Sequence, residues 1–326
     1  MARELTYAEA ILEGTSQAMS CSDRVVLMGQ LVDYPSGIFG TTTGLVDKFG
    51  LERVRDFPVA ENLMTQTALG MALGGFRPLI VHQRLDFMIY SLDAIANWLS
   101  LWRFKSNGKS NVPVVIRAIV GKGWGQGPQH SKSLHSWFAH LPGLRVAIPA
   151  TAYDAKGLLL ESLLGETPTI IIEGRSLFSM KEEVPESMYR VRFGNAAIRR
   201  AGSDLTLVAI GMMVPIALRV AAALEKEGVD VEVLDLRTIS PWDQTAVLNS
   251  VEKTGRLAVA DPAWKSFGVA GEIITTIVER YRGEWKSRPI RFTHPDSHTP
   301  MSSALEKEYY PDEAGWVKQM REMVRG

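Results

Sequence analysis

The chain is poor in the features that mark several large classes of protein. Among 326 residues there is one cysteine, Cys21, so no intramolecular disulfide framework can form. No base stands near it in sequence, which leaves a nucleophilic role without its usual partner. Neither sign of charge is in excess: Lys plus Arg and Asp plus Glu number 36 each. That balance excludes the basic surplus of a nucleic-acid-binding chain. No apolar run approaches the ~20 residues of a membrane span. Met1 to Tyr7 is charged and leads straight into a helical pattern, unlike a signal peptide. A cytoplasmic protein with no nucleic-acid or membrane partner is the expectation.

What is present is an ordinary globular composition, 46% hydrophobic and 22% charged, in a chain about twice the usual domain length. Short β-branched runs alternate with longer helical periods. Strands are predicted at 24–29, 53–57, 78–82, 112–118, 144–148 and 168–173, and helices at 7–20, 61–74, 88–105 and 152–164. Alternation of this kind builds a largely parallel sheet covered on both faces. The pattern breaks over the polar stretch 179–194. It resumes with strands at 204–210, 229–236, 256–260 and 288–292 and helices at 213–227, 241–252 and 268–282. The reading is two α/β domains with largely parallel sheets, 1–185 and 193–326, joined by a linker at 186–192.

Several motifs that would redirect this reading fail on their context. The glycine-rich run Gly121-Lys-Gly123-Trp-Gly125-Gln-Gly127 follows a strand but leads into Pro128. A dinucleotide-binding loop must instead open a helix whose N-terminus faces the pyrophosphate. Gly108-Lys109-Ser110 ends like a P-loop, yet position 103 is Arg rather than Gly. The histidines at 130, 135 and 140 are spaced by five, which spreads them around a helix instead of gathering them as metal ligands. His294 and His298 flank Pro295, which argues against a helical pair.

More specific is the segment Arg55-Asp-Phe-Pro58-Val59-Ala60-Glu61-Asn62, where a strand ends, a proline turns the chain and a glutamate starts a helix. Taken alone, Glu61 fits a carboxylate complementing the helix dipole. Leu85-Asp86-Phe87 follows a strand, and Gln129-His130-Ser131 lies in the glycine-rich loop. With VPVVIRA at 112–118, WFAHLPGLRVAIPATAYDAKGLL at 137–159, EEVPESMY at 182–189, VEVLDLRTISPWD at 231–243 and the late LEKEYYP, the ordered set resembles one family. That family is the beta subunits of thiamine-diphosphate-dependent first components of 2-oxo acid dehydrogenase complexes, pyruvate and branched-chain type. The resemblance runs over nearly the whole chain.

The resemblance implies a transketolase-like pyrimidine-binding domain followed by a transketolase C-terminal-like domain. It implies that Glu61 exchanges a proton with a pyrimidine nitrogen of the cofactor. Phe87 matches the aromatic packed on that ring, with Val59, Gln30 and Tyr90 beside it. His130 matches the loop histidine that faces the substrate as proton donor or oxyanion partner. Val114, Ser162, Leu163, Gly165 and Thr167 correspond to backbone carbonyls that hold a potassium ion in some members. The Gly-Asp-Gly stretch that anchors the diphosphate through magnesium is absent from this chain. In the heteromeric family it belongs to the alpha subunit, so an alpha partner and a second beta chain are implied. A lipoyl acyltransferase is a further partner if the enzyme sits in a dehydrogenase complex.

Departures from the family pattern gather near the site. Gln30 replaces a glutamate and Tyr90 a glutamine, His135 stands where an acidic or small residue is common, and Ala260-Asp261-Pro262-Ala263 replaces a His-Glu-Ala pattern. Three readings follow: decarboxylation of a 2-oxo acid with transfer of the activated aldehyde to a lipoyl group, transketolase-like ligation to a sugar or aldehyde, and a subunit that is structural only. Retention of Glu61, Phe87 and His130 together argues against the last.

Overall fold

The computed structural model describes residues 3–123 and 125–326; Trp124 of the glycine-rich run lies outside them. The chain divides into two compact units, Met1–Lys122 with Trp137–Phe193, and Gly123–Ser136 with Gly194–Gly326.

In the first unit the parallel strands are β2 (Val25–Gly29), β3 (Val54–Asp56), β4 (Arg77–His82), β5 (Val115–Val120), β6 (Arg145–Ala147) and β7 (Thr169–Gly174). They lie in the order β6-β7-β5-β4-β2-β3, every neighbouring pair parallel. Strands β2 and β5 are buried along their whole length, as expected of strands covered on both faces. Helices α1 (Tyr7–Cys21), α2 (Glu61–Leu73) and α3 (Ala152–Leu163) supply that cover. A capping box starts α1: Glu9 N donates to Thr6 Oγ1 at 3.2 Å and Thr6 N to Glu9 Oε2 at 2.8 Å. An antiparallel ribbon joins β1 (Glu4–Thr6) to β8 (Lys181–Glu183).

The polar stretch after β7 is strapped down. Lys156 Nζ, fully buried, contacts Glu13 at 2.6 Å and donates to the carbonyls of Pro185 and Ser187 at 2.6 and 3.1 Å. Tyr189 stacks on Tyr153 with ring centroids 4.3 Å apart. Residues 185–191 are therefore held against the first unit by a buried cation and an aromatic pair.

The second unit carries β9 (Ala197–Arg200), β10 (Leu205–Ala209), β11 (Val231–Asp235), β12 (Leu257–Trp264) and β13 (Ile290–His294), in the order β13-β12-β10-β11-β9. All neighbours are parallel except β9 with β11. Helices α4 (Met213–Glu225), α5 (Gln244–Thr254), α6 (Val269–Arg280) and α7 (Glu313–Arg325) complete it. Two α/β units with mostly parallel sheets are the expected fold class. The expected helix at 88–105 is not continuous: it is a short helix, a 3-10 turn, a π segment at Ala94–Leu99 and another short helix. The wide π turn lets Ala94, Ile95 and Leu99 all reach the core.

Candidate active site

Parallel sheets present their ligands beyond the carboxyl ends of their strands. In the first unit that edge carries Gln30 after β2, the Phe57–Glu61 turn after β3 and Arg84–Phe87 after β4. The turn is fixed from both sides. Phe57 N donates to Gly29 O at 3.1 Å, and Leu31 N donates to Asp56 Oδ1 at 2.6 Å. Gly29 permits the close approach: a Cβ there would lie 2.8 Å from the carbonyl oxygen of Val81. Gln30 Nε2 donates to Pro58 O at 3.5 Å, and its own carbonyl accepts from Gln83 Nε2 at 2.9 Å. Gln30 thus braces the turn, a job its amide does as well as a carboxylate could not, since only the amide donates.

Glu61 is the first residue of α2 and is half-buried. Its carbonyl accepts from Thr65 Oγ1, which also shares a hydrogen bond with Ser91 Oγ at 2.9 Å, so the backbone at this point is tied into the core. Around it the surface is apolar and open. Val59 is 82% exposed, Tyr90 71%, and Leu63 and Phe87 are exposed too. A cleft of about 530 Å³ is lined by Met28, Arg55, Phe57, Pro58 and Met71. Glu61 does not line that cleft, and Val59 and Leu63 beside it in sequence are exposed. A half-buried carboxyl beside exposed aromatic surface fits an aromatic ring that bears a hydrogen-bonding nitrogen.

His130 groups with the second unit. Its Nδ1 lies 3.0 Å from Gln126 O, which places the proton on Nδ1 and leaves Nε2 as the acceptor in the neutral ring. Gly127 in this loop has φ +63°, and a Cβ there would meet the Met301 side chain at 2.5 Å. Gly123 N donates to Glu306 Oε1 at 2.8 Å. The strongest tie is His135 Nε2 to Asp261 Oδ1 at 2.8 Å, with both side chains buried. Asp261 also accepts from Ala263 N and Ala270 N at 3.0 Å each. Burial opposes its ionisation, but His135 and those two N–H groups outweigh it and hold the carboxyl below its usual range.

The carbonyls named for potassium are engaged by protein donors. Leu163 O accepts from Arg77 Nε at 2.7 Å and Gly165 O accepts from Arg77 Nη2. Val114 O accepts from Thr169 N, Thr167 O from Thr169 Oγ1 and Ser162 O from Gly165 N. A cation here would compete with the Arg77 guanidinium for two of the five oxygens and with other protein donors for the rest, a poor fit. Among the described residues no group of three or more His, Cys, Asp or Glu side chains is placed to hold a metal ion. No described helix is long and apolar enough to cross a membrane.

Residues 3–181 match the family model "Transketolase, pyrimidine binding domain", and residues 194–315 match "Transketolase, C-terminal domain". The chain is 38% identical to the acetoin:2,6-dichlorophenolindophenol oxidoreductase subunit beta of Cupriavidus necator, across 100% of this chain and 99% of that one. It is 35% identical to the pyruvate dehydrogenase E1 component subunit beta of Bacillus subtilis, across 98% and 99%. The chain belongs to the transketolase-like family of E1 beta subunits. A solved structure described as a split gene transketolase, inactive beta4 tetramer, superposes with a TM-score of 0.80 at 21% identity, covering 98% of each chain. That likeness speaks for the fold alone. The family resemblance and the fold class expected from sequence are thereby borne out.

Family membership puts Glu61 and Phe87 in the pyrimidine-binding match. The motifs had not exposed three arrangements: the His135–Asp261 pair, a second cluster of Arg84, Arg175 and Phe39, and His82. The last is fully buried, with both ring nitrogens unpartnered among the described residues.

Proposed function

We propose that this chain is the beta half of a thiamine-diphosphate enzyme that decarboxylates a 2-oxo acid and passes the activated aldehyde to an acceptor. The single observation that carries the reading is Glu61: a half-buried carboxyl at a helix start, on the ligand-binding edge of a pyrimidine-binding domain, beside exposed apolar surface. When bound, the cofactor supplies a carbanion-stabilising thiazolium. This chain's own part is to hold the pyrimidine end. Glu61 exchanges a proton with a ring nitrogen, Phe87 and Val59 pack against the ring, and Gln30 keeps the turn rigid. Tyr90 extends the apolar shelf and helps exclude water. His130 serves the substrate side as proton donor or oxyanion partner.

The diphosphate and its magnesium fall to an alpha subunit carrying Gly-Asp-Gly, a motif this chain lacks. A second beta chain completes the assembly, and a lipoyl acyltransferase is the acceptor's carrier if the enzyme works within a complex. Arg77 donates to two of the five carbonyls named for potassium, those of Leu163 and Gly165, which disfavours a cation there. A second reading is favoured by the 38% identity to an acetoin-oxidising beta subunit: the substrate is then a hydroxyketone. Assembled enzyme should be offered pyruvate, other 2-oxo acids and acetoin with dichlorophenolindophenol as acceptor. Turnover with a 2-oxo acid supports the first reading, and turnover with acetoin alone replaces it with the second. Glu61→Gln should lower kcat at least 100-fold, about 2.7 kcal/mol of barrier, without loosening the assembly. An unchanged rate would show that the subunit is structural only.

A further inference from the structure

Strands β12 and β13 lie side by side and parallel, with Trp264 at the end of the first level with His294 at the end of the second. The turns that leave them meet beyond the carboxyl edge of the second unit's sheet, the edge where parallel sheets take their ligands. Between the turns lies a cavity of about 400 Å³, lined by Trp264, Ser266 and Phe267 from one and Asp296, Ser297 and His298 from the other. All six residues belong to the second unit. Hydrogen bonds staple the two walls together. Ser266 N and Oγ donate to the two Asp296 oxygens at 2.9 and 2.7 Å, and Trp264 Nε1 donates to Ser297 O at 2.7 Å. The Trp264 and His298 rings meet edge to face with centroids 5.8 Å apart.

Two features of this lining point to an occupant. Phe267 is 97% exposed and holds a left-handed backbone, φ +61°, which is unfavourable for a bulky side chain. At that exposure no packing within the chain offsets the strain, and strain of this kind gathers at ligand sites. Asp296 is the second feature. Hydrogen bonds from the Ser266 hydroxyl and N–H hold its carboxyl below the usual carboxylate range, and the nearby Lys265 adds to this. The carboxylate is therefore ionised at the cavity wall, and it forms no ion pair among the described residues. Aromatic faces attract cations, the indole face most strongly. An anion would be repelled by Asp296, and a neutral ligand would leave its charge unused.

We propose that this cavity binds a small organic cation, an ammonium or guanidinium compound, held by the Asp296 carboxylate and the rings of Trp264 and Phe267. Its volume is that of a small-molecule site. Glu61 lies in the other unit, so the proposal stands or falls without the role given to that residue.

The test is calorimetric titration of the full-length chain at constant ionic strength and about pH 8, where imidazoles are neutral. The probes are choline, butylammonium and dimethylbutanol, the uncharged carbon isostere of choline. One of the two cations should bind saturably and at least tenfold more tightly than the alcohol. Asp296→Asn keeps an acceptor oxygen for Ser266 but removes the charge, and should weaken that binding at least fivefold. Phe267→Gly removes both the ring and the strain. It should weaken binding at least fivefold while the thermal unfolding midpoint holds or rises, a combination that a merely structural Phe267 would not give. Equal binding of cation and alcohol would mark an apolar pocket only and overturn the proposal. So would the absence of saturable binding, or binding that neither substitution weakens. In the chain assembled with an alpha partner the cation should still bind; loss of binding on assembly would make the cavity a subunit contact and overturn the small-molecule site.

Discussion

At the scale of single residues, the interior holds ionisable groups whose burial sets how the fold responds to pH and to mutation. Burial alone pushes the His82 imidazole from 6.5 down to about 3. The unfolded chain binds a proton near 6.5 while the folded chain declines it until about 3. Stability contributed by neutral His82 is thus full above pH 6.5 and is lost on acidification through that window, at up to about 1.4 kcal/mol per pH unit. His82→Leu should flatten the acid limb: urea unfolding at pH 6.5 and pH 4.5 should show the variant losing ~2–3 kcal/mol less than the parent. Parallel losses would mean that His82 titrates normally. Arg117 and Glu173, both buried, form a two-pronged pair at 2.6 and 2.8 Å between β5 and β7. Removing one partner strands a buried charge, so Arg117→Met should cost ~3–5 kcal/mol. The double change with Glu173→Leu should recover much of that in denaturant titration.

Elements show where sequence reading reaches and where it stops. Strand existence was plain in the β-branched runs, because residues buried on both faces leave a continuous apolar signature. The segment 88–105 misled for a related reason: apolar residues recur through it, but two short helices and a π turn satisfy the same burial as one helix. Strand 112–118 sits later in space, at Val115–Val120, since Pro113 cannot donate to a ladder. For the site, the PxxE turn and Phe87 were legible as local strings. His135 and Asp261 each stood out as departures, yet nothing local couples residues 126 positions apart. Their pairing ties the end of segment 125–135 to β12. Arg84 and Arg175 escaped for the same reason, since only the fold brings both to the Phe39 ring. His135→Ala leaves Asp261 with only the N–H groups of Ala263 and Ala270 in the interior, and should cost ~1–3 kcal/mol in thermal or urea unfolding. His135→Asn, able to donate to the same oxygen, should cost less; equal losses would show that packing, not the hydrogen bond, secures the loop.

At the scale of the whole molecule, the proposed function gives the chain half of a cofactor site, and an apolar shelf lies in the open. Val59, Leu63, Phe87 and Tyr90 are exposed on the segments that surround the start of α2. Apolar surface of this extent marks a place that another surface covers. The relatives that match over the full chain are themselves named as beta subunits. A zero net charge gives such a chain little repulsion to keep its copies apart, so the isolated subunit should self-associate more than the complex does. Light scattering of the two samples at matched concentration checks this.

In the proposed function Glu61 works on one end of a cofactor whose other end is held by a different polypeptide. The most direct measurement is calorimetric titration of thiamine diphosphate with magnesium into the purified chain, and then into the chain assembled with its alpha partner. The account predicts no measurable heat of binding in the first titration and saturable, magnesium-dependent binding in the second. Tight, magnesium-dependent binding to the single chain would contradict it.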